Sequence, residues 1–377
     1  MKAQTLKNVT RVLFLAGTRP EVIKLAPVIL AAKDMFGTRT HARLCLTGQH
    51  STMADEALAI FGISGDYNLS IMTENQSPND ISRSVFERLP RVLHEFGPDV
   101  LVVQGDTTSA AAAALCAFNL GIPVAHVEAG LRSHNLAAPF PEELNRKIIA
   151  STARFNFCPT ESSRQNLIHE SVDPKSLFVT GNTIVDALRV ISESHDLSRL
   201  NAVGPGIRKP FVLVTAHRRE SFGKGIENIC NALKQCARQF PKHQFVYPVH
   251  LNPNIDGPVR THLADVPNIV LLKPVSYLNL LRLMMNCELV ISDSGGIQEE
   301  APSFAKYCIV LREVTERRES VDLGLSELVG TDPLRIVDAI SKKLGGNSLC
   351  PSVPNPYGDG HAAEKILEQL STIGATR

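Results

Sequence analysis

Short apolar runs recur along the chain, each breaking into a polar or glycine-rich turn and then into a helical pattern. The first run, residues 11–16, closes on Gly17-Thr18-Arg19-Pro20. A helix is expected from Glu21, with Pro27 a kink inside it. Further strands are expected at 43–47, at 99–104 before Gly105-Asp106-Thr107-Thr108-Ser109, and at 123–127 before Glu128. Shorter ones fall near Phe155 and Phe178. Ser77-Pro78-Asn79-Asp80 reads as a helix start, with a cap, a proline in the first turn and an acid at the third position. An alanine-rich helix runs to Leu120, and residues 139–141 open a helix carrying Glu142, Glu143, Asn145 and Arg146.

Residues 182–194 have a helical pattern, and 195–210, with Gly204-Pro205-Gly206, form the best linker. The pattern then restarts. Strands are expected at 211–215, 244–249, 269–272, 289–292 and 309–311, with an amphipathic helix at 226–240 and a last helix after Gly360 carrying Ile366, Leu367 and Leu370. Strands alternating with helices twice over predict an α/β protein of two Rossmann-like, doubly wound parallel-sheet domains facing across a cleft. The expected division is 1–182, 183–358 and a helical segment, 359–377, packing back on the first domain.

Polar residues sit just past nearly every strand: Arg19, Asp106, Glu128, His217, His250 and Ser294. In parallel sheets those loops converge on one crevice. Each also has a plainer reading. Asp106 can cap the helix before Thr108, Glu128 can pair with Arg132, Glu142 can be a first-turn acid favoured by the helix dipole, and His217 can be a loop histidine.

Residues 289–302 concentrate the signal. An apolar strand leads through Asp293, Ser294, Gly295 and Gly296 into a short helix that ends near Pro302. Asp293 and Ser294 can cap that helix, and the glycines let a ligand approach the backbone. Free N–H groups and the positive dipole end suit a phosphate, and Glu299-Glu300 one turn further on suit ribose hydroxyls. The plainer alternative is an ordinary strand-to-helix turn.

Bulk properties narrow the picture. The 377 residues imply two domains, and 44% hydrophobic content is enough for proper cores. A net charge of +1 argues against a nucleic-acid coat or a membrane-surface patch, so basic clusters serve local anions. No apolar run is long enough to span a bilayer, and residues 12–16 are too short for a signal core. The eight cysteines lack a CxxC pair and sit mostly among apolar residues, the pattern of reduced thiols in a cytoplasmic protein. No GxGxxG follows Ala16, and neither a Walker loop, a GxSxG elbow nor a metal-ligand spacing is present, so no cofactor or metal is expected. Carboxylates, a histidine and cations acting on a phosphate-bearing ligand suit cleavage at an anomeric carbon.

Seven motifs occur in one order: Gly17-Thr18-Arg19-Pro20-Glu21, Gly105-Asp106-Thr107-Thr108, the run from His126 to Arg132, Pro141-Glu142-Glu143-Leu144-Asn145-Arg146, His217-Arg218-Arg219-Glu220, His250-Leu251-Asn252-Pro253-Asn254, and 292–302. Together they resemble the bacterial non-hydrolysing UDP-N-acetylglucosamine 2-epimerases, from Val12 to the tail Asn355-Pro356-Tyr357-Gly358-Asp359-Gly360.

The resemblance implies a fold like the B-type glycosyltransferases (GT-B), a homodimer, and interconversion of UDP-GlcNAc and UDP-ManNAc for surface-polysaccharide synthesis. UDP is eliminated to give 2-acetamidoglucal and added back after C2 is protonated on its other face. It implies Asp106, Glu128, Glu142 and His217 as the catalytic set. Arg19, Lys24, Arg146, His250, Ser294, Gly295, Gly296, Glu300 and Arg317 would hold UDP or substrate. Gln49, His50, Gln76 and Arg218 match a region that binds a second UDP-GlcNAc as activator. Asp106 and Glu128 are expected to serve C2, with Glu142 supporting them and His217 assisting the leaving phosphate or positioning the ring. A hydrolysing relative, a B-type glycosyltransferase and a silent UDP-sugar sensor are the competing readings. The chain departs from the family pattern at Arg318, where proline is usual, at Phe140, a common tryptophan, and at Leu280, where an aromatic often lies near the uracil.

Overall fold

The computed structural model describes residues 9–34, 37–48, 51–73, 75–346 and 350–373. It divides into two compact units, one formed by Met1–Ile191 together with Tyr357–Arg377, the other by Ser192–Pro356.

In the first unit the elements follow as β1 (Thr10–Ala16), α1 (Arg19–Asp34), β2 (Thr40–Leu46), α2 (Ser51–Ile60), β3 (Tyr67–Asn68), α3 (Pro78–Phe96), β4 (Val100–Gln104) and α4 (Thr108–Asn119). Then come β5 (Val124–Val127), α5 (Glu142–Thr152), β6 (Phe155–Cys158), α6 (Glu161–His169), β7 (Leu177–Val179) and α7 (Thr183–Ser194). The strands form one sheet in the order β3-β2-β1-β4-β5-β6-β7, with all pairs parallel. β4 (Val-Leu-Val-Val-Gln) is buried at every position, as a strand covered on both faces must be. α1 continues as one helix through Pro27 to Asp34. The start of α3 is set by a reciprocal capping box between Ser77 and Asp80, and its end by Gly97 in the left-handed region, whose N–H returns to Leu93 O.

The second unit runs β8 (Phe211–Thr215), α8 (Lys224–Gln239), β9 (Gln244–Pro248), α9 (Pro253–Leu263), β10 (Ile269–Leu272), α10 (Tyr277–Asn286) and β11 (Leu289–Ser292). It continues through α11 (Gly295–Glu300), β12 (Cys308–Val310), α12 (Arg318–Asp322), β13 (Ser326–Leu328) and α13 (Pro333–Leu344). Its sheet order is β10-β9-β8-β11-β12-β13, again all parallel. The apolar stripe of α8 (Ile226, Ile229, Leu233, Cys236) packs with Phe245, Tyr247 and Ile291 in one core.

The final helix, α14 (Ala362–Leu370), belongs to the first unit. Ile366, Leu367 and Leu370 are fully buried and the helix packs on α1. Ala363 N donates to Asp186 Oδ1 at 2.8 Å, Arg189 Nε to Gly360 O at 3.1 Å, and Asn182 N to Tyr357 O at 2.7 Å. Two parallel-sheet units of this kind make up a GT-B-like fold. Among the described residues no helix is long and apolar enough to cross a membrane. Seven cysteines are buried and Cys350 is half-buried, all with free thiols.

Candidate active site

In each sheet the strand order reverses beside the first strand: between β1 and β4 in one unit, between β8 and β11 in the other. Loops leaving the carboxyl ends of those strands diverge, and a ligand crevice opens there. In both units a buried carboxylate ties the two loops together.

In the first unit that carboxylate is Glu21. It accepts from Gly17 N (2.9 Å), Thr18 N (2.7 Å) and, from the loop after β4, Thr107 Oγ1 (2.7 Å). Burial raises its pKa above the usual carboxylate range, opposed by the Thr107, Gly17 and Thr18 hydrogen bonds. The helix cap of α4 is Thr107, whose hydroxyl accepts from Ala110 N. Asp106 does something else: its Oδ2 receives Arg146 Nε at 2.9 Å and Nη2 at 2.7 Å. Arg146 also reaches Glu143 at 3.1 Å, and Asn145 Nδ2 donates to Asp106 O at 2.9 Å. The i,i+3 spacing lets Glu143 brace the Arg146 guanidinium that holds the Asp106 carboxylate, while the neighbouring Asn145 holds the Asp106 carbonyl. Glu142, half-buried, is the first residue of the same helix.

Glu128 follows β5 as Asp106 follows β4, and the two strands are in register at Gln104 and Val127. Its φ of 69° is uncommon for a residue with a side chain. The pairing with Arg132 is not formed, because Arg132 binds Glu170 (Nη2–Oε2 2.7 Å). Glu128 instead forms a hydrogen-bonded ion pair with Lys24 of α1, both side chains only 8% exposed, and Asn182 Nδ2 donates to the same oxygen at 3.3 Å. Beside it, His126 is fully buried and donates from Nε2 to Gly105 O (2.7 Å), while burial pushes its pKa down to about 4. Gly130 is obligatory at φ 90°, since a Cβ there would stand 2.1 Å from Ser163 O. Arg19 is half-buried at the start of α1. Gln76 is half-buried and accepts from Thr73 N (3.0 Å); Gln49 and His50 lie outside the described residues.

In the second unit the tying carboxylate is Asp293. Read from sequence as a possible helix cap, it accepts instead from His217 N and Arg218 N, each at 2.8 Å on Oδ2. Ser294 occupies the N-cap position of α11, without a side-chain capping bond. The His217 ring, 41% exposed, has Nδ1 3.5 Å from Asp293 Oδ1 and stacks on His250 with centroids 5.6 Å apart. Thr215 and Ser292 hydroxyls meet at 2.7 Å, and Ser294 N donates to Ser292 Oγ.

Arg317 lies across Gly295, where a Cβ would come within 2.7 Å of its guanidinium; Gly296 is open. Glu299 accepts from Arg317 Nε at 2.7 Å, and Glu300 accepts the Tyr277 hydroxyl at 2.8 Å. Arg218 is close enough to Arg312, Glu316 and Arg317 for their charges to act on it, and burial, then Arg312, lowers its pKa. The buried Arg317 and half-buried Arg218 guanidinium groups, with the hydroxyls and N–H groups of this loop cluster, suit a diphosphate. Of the departures, Phe140 is 71% exposed, Leu280 packs on a core cluster of the second unit and Arg318 pairs with Asp322 on the surface.

Sequence reasoning did not single out Asn182 or the tying role of Glu21 and Asp293. Asn182 follows β7, so the same rule of polar residues past strand ends points to it; Glu21 stands at the third position of α1, where a carboxylate meets free N–H groups.

Residues 36–371 match the family model described as UDP-N-acetylglucosamine 2-epimerase. The chain is 47% identical to the UDP-N-acetylglucosamine 2-epimerase of Yersinia pestis, covering 97% of this chain and 100% of that one. It is also 47% identical to that of Escherichia coli K12, covering 96% and 98%. A solved structure of the Neisseria meningitidis UDP-GlcNAc 2-epimerase bound to UDP-GlcNAc superposes with a TM-score of 0.91 at 41% identity, covering 96% and 100%. The Methanocaldococcus jannaschii enzyme in complex with UDP-GlcNAc and UDP gives 0.83 at 33% identity, covering 96% and 100%. With motifs, fold and sequence agreeing over nearly its full length, the chain belongs to the UDP-N-acetylglucosamine 2-epimerase family.

Proposed function

We propose that the chain is a non-hydrolysing 2-epimerase that interconverts UDP-GlcNAc and UDP-ManNAc by elimination and re-addition of UDP. The supporting observation is the pair of anchored carboxylates at adjacent strand ends, Asp106 on Arg146 and Glu128 on Lys24 and Asn182. Epimerisation takes a proton from one face of C2 and returns one to the other, and a proton-transfer group on each face is the simplest arrangement that does so. The C2 proton is barely acidic, because no carbonyl adjoins that carbon. It becomes removable as the C1–O bond breaks and the ring gains oxocarbenium character. The C2–H electron pair then forms the C1–C2 double bond of 2-acetamidoglucal, and UDP departs with the C1–O pair. Addition of UDP back to C1 with protonation of C2 from the opposite face completes the cycle.

Asp106 and Glu128 serve C2 in this reading and Glu142 supports them. The cations and donors of the second unit, Arg317, Ser294, Gly295, Gly296 and His250, hold UDP and stabilise its developing charge, with Arg19 of the first unit, and Glu300 accepts from the ribose hydroxyls. Gln76 and Arg218, with Gln49 and His50, take the activator UDP-GlcNAc. The active species is a homodimer, and its product feeds surface polysaccharide.

Incubation with UDP-GlcNAc alone in deuterated water tests the reading. UDP-ManNAc carrying deuterium at C2 is expected. Absence of both label and epimer overturns the reading, and free ManNAc with UDP replaces it by hydrolytic epimerisation.

A further inference from the structure

We propose that Asn182 is a positioning residue for Glu128, fixed in turn by the returning C-terminal segment. The inference rests on the epimerase reading above and extends it to a residue outside the catalytic set. Asn182 is held at three atoms. Its N–H donates to Tyr357 O at 2.7 Å, its Oδ1 accepts from Ile184 N at 3.1 Å, and its Nδ2 donates to Glu128 Oε2 at 3.3 Å. The bond from Ile184 assigns the amide orientation, since only the oxygen can accept it, and this turns the NH2 toward Glu128.

The side chain has no room to wander. Asn182 is 3% exposed and Tyr357 2%. Gly358, at φ 120°, brings its backbone so close to Gly181 that a Cβ would lie 3.2 Å from Gly181 Cα, and a Cβ on Gly181 would lie 3.2 Å from Tyr357 O. Two backbones in direct contact therefore hold the turn from which Asn182 projects.

Lys24 and Asn182 reach Glu128 from different elements, the one from α1 and the other from the turn before α7, and both bonds converge on Oε2. Two donors on one oxygen fix the last torsion of the side chain, which an ammonium on a flexible stem does not do alone. Proton transfer to or from a ring carbon needs that torsion set, because a misplacement of an ångström is felt directly in the rate.

The test uses the full chain with Asn182→Ala and Asn182→Asp, assayed for UDP-GlcNAc epimerisation over a range of pH. Asn182→Ala is expected to lower kcat by about 10- to 100-fold while KM stays near the wild-type value. Asn182→Asp, equal in size, sets a second carboxylate against Glu128 and moves the acid limb of the kcat profile to higher pH. Wild-type kcat in Asn182→Ala, or an unmoved acid limb in Asn182→Asp, overturns the positioning role. If Asn182→Ala does not fold, Asn182→Asp decides by itself. A wild-type protein that leaves UDP-GlcNAc unchanged overturns the epimerase reading and this role with it, whereas an active wild type with unaffected variants removes only the role of Asn182.

Discussion

Asp293 holds the loop of His217 from beneath: one oxygen accepts the backbone N–H of His217 and Arg218, and the other lies 3.5 Å from the His217 ring nitrogen. The carboxylate is fully buried, and both bonds are partly shielded from water. Asp293→Ala removes the acceptor of two partly buried donors and is expected to cost about 1–3 kcal/mol of stability, read from the urea midpoint. Asp293→Asn keeps an acceptor, so it should fold yet lose turnover through the changed His217 environment. An unchanged midpoint in Asp293→Ala would show that the loop does not need this support.

For the three carboxylates the expectation is a separation of chemistry from binding. Asp106→Asn, Glu128→Gln and Glu142→Gln each lower kcat by roughly 100-fold or more, the usual worth of a placed acid or base. UDP affinity, measured by calorimetry, stays at the wild-type value in all three. Loss of UDP binding in every variant would mean that they shape the pocket.

Gly295 and Arg317 give a test of the UDP side. A methyl group at position 295 meets only the far end of a flexible side chain, so Gly295→Ala displaces the Arg317 guanidinium and little else. UDP affinity should weaken by about 1.5–3 kcal/mol, the value of a charge-assisted hydrogen bond, and thermal stability should fall as the buried Arg317 pairs with Glu299 and Glu316 are disturbed. Wild-type affinity would take Arg317 out of the diphosphate contacts.

The strands that read clearly were buried parallel ones, such as β4 and β11, whose apolar runs are unbroken. β3 and β13 left no such mark, because they are two and three residues long and carry polar side chains. Polar residues past strand ends were legible because a parallel sheet gathers them at one edge. Partners were not. Glu128 has Arg132 four residues away, yet its cation is Lys24, 104 positions distant, and Arg132 goes to Glu170. Local spacing cannot choose between a near and a far partner when the fold decides which side chains are buried together. The glycines at 130 and 295 were visible as glycines; what they make room for, Ser163 O and the Arg317 guanidinium, was not.

Asp186 makes stability depend on pH in an uncommon direction for a carboxylate. Burial raises its pKa from an ordinary 3.8 to about 6, only partly opposed by the N–H groups of Ala363 and Ala362. Between those values the folded chain holds a proton that the unfolded chain has lost. This contribution is therefore full below pH 4 and declines as pH rises toward 6, by about 2–3 kcal/mol. Asp186→Asn keeps the acceptor for Ala363 and removes the titration. The difference in unfolding free energy between variant and wild type should grow in the variant's favour from pH 4 to pH 7. A constant difference across that range would rule out Asp186 as the source.

The return of residues 357–377 to the first unit means that the second is threaded as an insert, entered after Ile191 and left after Pro356. A protease nick at either junction alone would leave the halves covalently joined through the other. A chain simply ended at Ile191 would strip α1 of the cover supplied by Ile366, Leu367 and Leu370. To obtain that half as a free-standing body, residues 357–377 have to be spliced back behind residue 191.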